Sequence, residues 1–108
     1  MARFVMLMKV TPTGVTELKD GLPQAIGEMG QAMKALGGSL DATITLGEYD
    51  IVATGSAPSD EAIAWCASQI VFGGSLTVQT LRGFSADEWA ALHGDTQFQG
   101  QGAKPFGH

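Results

Sequence analysis

Along this chain the spacing of hydrophobic positions switches between two and three-to-four, and the switches predict its elements. Phe4, Met6, Met8 and Val10 alternate with Val5 and Leu7 between Arg3 and Lys9, a strand whose two faces are both apolar at the centre. Thr11-Pro12-Thr13-Gly14 breaks that pattern, and residues 15–20 offer one helical turn before Gly21. Leu22, Ile26, Met29, Met33 and Leu36 then recur at spacings of four and three, which predicts an amphipathic helix closed by Gly37-Gly38. Period two returns with Leu40, Ala42, Ile44 and Leu46 on one face and Asp41, Thr43 and Thr45 on the other. Gly47-Glu48-Tyr49-Asp50 is turn-like and residues 51–55 read as a third strand, so the pair predicts a hairpin.

Pro58-Ser59-Asp60-Glu61 opens a second helix, with proline at the first helical position and the carboxylates at the positive end of the macrodipole. Ile63, Cys66, Ala67 and Ile70 form its buried stripe, and Gly73-Gly74 stops it. Leu76, Val78 and Thr80 alternate with Thr77, Gln79 and Leu81 in a fourth strand ending near Arg82. Ser85-Ala86-Asp87-Glu88 is a capping box for a short third helix bearing Trp89 and Leu92. Residues 94–108 are a Gly/Gln-rich stretch whose composition reads as a flexible tail, the alternative being docking on a partner subunit through Phe98 and Phe106, so the domain itself spans 1–93.

The order strand, helix, strand, strand, helix, strand predicts an α+β, ferredoxin-like βαββαβ fold: a four-stranded antiparallel sheet with two helices on one face, then a short C-terminal helix and tail. Two helices cover one sheet face. Val5, Leu7, Val52 and Leu81 would project from the other, and pairing that face with a second chain predicts a homodimer or higher homo-oligomer.

Composition narrows the function classes. A chain of 108 residues supports one core. No apolar stretch approaches the ~20 residues that cross a bilayer, and the amino terminus runs straight into a strand rather than a secretory signal, so neither membrane insertion nor export is expected. Cys66 is the one cysteine, so no internal disulfide forms and the cytoplasm is the expected compartment. With a net charge of −5 and six Lys and Arg, the chain lacks the basic stripe that nucleic acid requires.

Candidate chemistry is sparse. Tyr49 and Asp50 sit where the hairpin turn meets its second strand; Asp50 would act as a base and Tyr49 as orienter or donor, against the structural alternative of a turn carboxylate bonded to backbone N–H groups and a packed ring. Lys9 and Thr11 end the first strand and, with Tyr49, Asp50 and Arg82, are the candidate ligand-binding residues; Arg82 would clamp a carboxylate or pair with Asp50 or Glu48. Cys66 reads as a small buried hydrophobe, His93 and His108 lack metal-ligand spacing, and the Met6, Met8, Met29 and Met33 set reads as core. Gly27 and Gly30 inside the first long helix point to close contact with the sheet or a neighbour. No glycine cluster has the context of a phosphate loop, and no cofactor or metal is expected.

The stretch Leu46-Gly47-Glu48-Tyr49-Asp50-Ile51-Val52 resembles the GYD family, named for its Gly, Tyr and Asp. Gly37-Gly38, Ala57-Pro58-Ser59-Asp60-Glu61 and Thr80-Leu81-Arg82 with Phe84 extend the resemblance over about residues 3–93. It implies a ferredoxin-like domain similar to the dimeric α/β-barrel group, in which two sheets face one another and whose members include cofactor-free monooxygenases, small dehydratases, and binding or regulatory proteins. The resemblance brings no reaction with it. The expectation is a homodimeric domain binding a small apolar or aromatic ligand; the alternatives are a cofactor-independent enzyme and a non-catalytic interaction module.

Overall fold

The amino-terminal alternation becomes the middle of a sheet. In the computed structural model, which describes residues 1–17 and 21–94, strand β1 (Ala2–Val10) pairs with β3 (Ile51–Ala57) on one side and β4 (Leu76–Gly83) on the other; β2 (Ser39–Ile44) lies outside β3. Every pairing is antiparallel, in the order β2-β3-β1-β4, and the helices α2 (Leu22–Ala35) and α3 (Asp60–Gly73) are the two crossovers. The fold is the expected α+β, ferredoxin-like one, with a short α1 (Pro12–Glu17) and a terminal α4 (Ala86–His93) added. No helix among the described residues is long and apolar enough to cross a membrane.

The core lies between the helices and one sheet face. Ala2, Phe4, Met6 and Met8 of β1 are buried there with Ile51, Ala53 and Ala57 of β3, Leu76 of β4, Met29 and Met33 of α2, and Ile63 and Cys66 of α3. The methionines are therefore packing residues, their flexible thioethers filling space between sheet and helix. Leu22, Ile26 and Leu36, with Ala67 and Ile70, pack against that cluster, as the two helical stripes predict.

Several boundaries move for local reasons. α1 begins at Pro12, ahead of the expected turn, because the Thr11 hydroxyl accepts from Gly14 N at 2.9 Å and caps the helix. A Cβ at Gly14 would overlap the Ser75 carbonyl, so this cap also needs glycine there. Residues 18–20 of the expected turn lie outside the described residues. Pro58 is not the first residue of α3: Ser59 is the N-cap, its hydroxyl accepting from Ala62 N at 3.1 Å, and the helix starts at Asp60. β2 stops at Ile44, opposite Ile51, leaving Leu46 fully exposed beyond the last ladder pair, while β3 runs on to Ala57. Among the described residues a Cβ added at Gly27 would meet nothing within 4 Å and one at Gly30 only the Leu40 carbonyl at 4.0 Å, so neither glycine is there to let the helix approach the sheet closely. The tail and its Phe98, Phe106 and His108 fall in residues 95–108, outside the described residues.

Candidate functional site

The face of the sheet that no described helix covers carries the odd residues of β1. Arg3, Val5, Leu7 and Lys9 stand opposite Ser56, Thr54 and Val52 of β3, and opposite Gly83, Leu81, Gln79 and Thr77 of β4. Val5, Leu7 and Val52 are half-buried and Leu81 is 42% exposed, so these four make an apolar row within a polar border. Asp41 and Thr43 of β2 belong to that border.

Tyr49 closes one end of the row. Its hydroxyl donates to the Gln79 side-chain oxygen at 3.1 Å, and Lys9 Nζ lies 5.4 Å from the ring centroid. Since β1 separates β3 from β4, the phenol reaches across the open face of β1 to make that bond. Lys9 Nζ also lies 3.8 Å from Glu48, both side chains being substantially exposed. A cation, an amide and a phenol thus border an apolar floor, an arrangement suited to orienting a small apolar or aromatic molecule by a polar end.

Asp50 has another task. Its Oδ2 accepts from Val10 N at 2.8 Å, its own N–H donates to Met8 O at 2.8 Å, and its carbonyl accepts from Thr45 N at 2.9 Å. The carboxylate continues the β1–β3 ladder one step past its last backbone pair, a structural use in keeping with a turn aspartate. Thr11 is likewise engaged: besides capping α1, its hydroxyl donates to Gly74 O at 2.6 Å and its N–H to Ser75 O at 3.0 Å.

Arg82 pairs with neither Asp50 nor Glu48. The register sets it opposite Phe4, whereas Lys9 is opposite Thr77, so the two cations lie at opposite ends of the sheet, roughly 17 Å apart along β4. Arg82 Nε instead meets Asp60 Oδ1 at 2.7 Å, and its guanidinium stacks 4.5 Å from the Phe84 ring centroid. Of the five expected ligand-binding residues the structure therefore gathers Lys9 and Tyr49 on the open face, with Asp50 behind them, and leaves Thr11 and Arg82 elsewhere.

Gln79 and Glu48 complete the cluster and were not singled out from sequence. Gln79 shares the Leu81 face by alternation, but its meeting with Tyr49 depends on the register of a strand 30 residues away. On the helical side a hollow of about 400 Å³ opens between α2 and α3, with Trp65 at its mouth and Met29, Cys66 and Leu76 in its lining. Lys9, Tyr49 and Asp50 do not line it.

Comparison with known proteins places the chain in a family. Among curated proteins nothing matches significantly. The crystal structure of the Arabidopsis thaliana protein At3g17210 aligns with a TM-score of 0.43 at 17% identity, over 80% of this chain and 96% of that one. The model of the GYD domain matches residues 4–92, which span β1 through nearly all of α4, and the chain belongs to the GYD domain family.

Proposed function

We propose that this protein is a homodimeric small-molecule-binding domain: two copies bring their open sheet faces together, and a small apolar or aromatic ligand lies between them at the Lys9–Tyr49–Gln79 end. The observation that carries the reading is the row Val5, Leu7, Val52 and Leu81, left without cover among the described residues, whose helices serve the opposite face or the sheet ends. Facing an identical row removes it from water with no other partner. Lys9 and Gln79 then offer donors to an anionic or carbonyl end of the ligand, and Tyr49 offers a ring face. The engagement of Asp50 by Val10 N favours binding over proton transfer, because the carboxylate that would serve as base is held in the ladder.

Sedimentation of the purified 11.2 kDa chain tests the assembly, and titration with anilinonaphthalene sulfonate, an aromatic probe with an anionic end, tests the site. The expected results are twice the chain mass at micromolar concentration and saturable probe binding, weakened about tenfold by Lys9→Ala. A monomer at every concentration, or probe binding indifferent to Lys9→Ala and Tyr49→Ala, overturns the respective half of the reading.

A further inference from the structure

We infer that α4 is a dimerisation arm, whose Phe84, Trp89 and Leu92 side chains dock on a second copy of this chain and extend the interface proposed for the open sheet face, on which reading the inference rests. The helix is firmly capped, yet among the described residues nothing buries it. Ser85 Oγ accepts from Glu88 N at 3.1 Å and Glu88 Oε1 accepts from Ser85 N at 2.7 Å, yet none of its eight residues is buried. Trp89 is 42% exposed, Leu92 63% and the preceding Phe84 43%. A helix of this length is marginal in water unless an apolar face is packed against something.

The aromatic side chains are already ordered. Phe84 and Trp89 meet edge-to-face with centroids 5.9 Å apart, and Trp89 and His93 are 4.6 Å apart. Such a preset row has little rotamer freedom left to lose on association, and buried aromatics dominate interface energetics.

Continuity says which partner it meets. Arg3, an open-face residue, lies 3.5 Å from Glu88, and Phe84 shares a hollow of about 420 Å³ with Arg3, Val5, Thr54 and Ser56 of that face. The row on α4 therefore borders the apolar row of the sheet, and whatever covers one reaches the other. The sheet face alone is small: four strands ~4.8 Å apart and about seven residues long give roughly 450 Å² of footprint, against about 800 Å² per partner in a standard stable interface. Trp89, Phe84 and Leu92, each still 42–63% exposed, add the remaining part of their apolar surface to that footprint.

The chain has two tryptophans, so Trp65→Phe leaves Trp89 as the sole reporter without touching either face of the proposed interface. Emission is followed through a dilution series alongside sedimentation, with Leu92→Asp in the same background. The expected result is a shift of Trp89 emission to shorter wavelength as dimer forms, and a dimer dissociation constant raised about tenfold or more by Leu92→Asp. A dimer whose formation leaves Trp89 emission unchanged, with a dissociation constant indifferent to Leu92→Asp, overturns the arm while the sheet-face dimer stands. A chain that stays monomeric at every concentration overturns both.

Discussion

Asp50 works as a stretch of backbone. Where the β1–β3 ladder ends, Val10 N would face a missing strand carbonyl, and the carboxylate takes that carbonyl's place at 2.8 Å. Asp50→Ala leaves a partly buried donor unpaired and is expected to lower stability by about 1–3 kcal/mol, whereas Asp50→Asn keeps an acceptor at the same position and stays within about 1 kcal/mol of the parent. Urea denaturation midpoints of the two variants check this; an alanine variant as stable as the parent would remove the structural role. Residues whose environment is set by their own strand or helix were legible in the sequence: the core methionines and Cys66, whose burial pushes its thiol pKa up, follow from periodicity alone. The Asp50 bond was not, because it joins positions 40 apart and depends on the register of two strands.

Elements are legible where their signals are local and misplaced where two local signals compete. The Ser85–Glu88 box is read correctly because both partners lie within four residues. α3 starts later than expected because the cap is decided by which hydroxyl reaches an amide, and Ser59 does so just after the proline. Alternation past Ile44 suggests that Leu46 is in the strand, but the ladder ends with the Ile44–Ile51 pair. In α4 the cap is also a titrating device. The Ser85 backbone N–H holds the Glu88 carboxyl below the ordinary value of 4.5, so the cap strengthens the folded helix above that pH and is lost as pH falls through the lower folded-state value. Acid titration of the Trp65→Phe chain is expected to report this loss through Trp89, and Glu88→Gln, which keeps an acceptor without a titrating proton, to flatten it. An identical acid transition in Glu88→Gln would place its source elsewhere.

At the scale of the molecule, the decisive feature is a sheet with one side filled and the other left open by the described residues. The division was readable from the alternation of β1 before any register was known, since Val5 and Leu7 are out of phase with Phe4, Met6 and Met8. What alternation withheld was which polar residues share an end of the sheet. Antiparallel pairing carried Arg82 to Asp60 at one end and brought Lys9 to Tyr49 and Glu48 at the other. The open side yields the sharpest assembly prediction. Val52 stands between Leu7 and Thr43 on that face, half-buried in the single chain, so an aspartate there can still turn its carboxylate to water when the face is uncovered. Facing a second copy, such a carboxylate is carried into an apolar layer and loses hydration. Val52→Asp is therefore expected to cost the monomer only about 1 kcal/mol of strand stability, leave its far-ultraviolet circular dichroism unchanged, and abolish dimer at concentrations where the parent sediments at twice its mass. A Val52→Asp chain that remains dimeric with its fold intact would mean that copies meet somewhere other than the open face, because no arrangement that buries this row leaves position 52 in water.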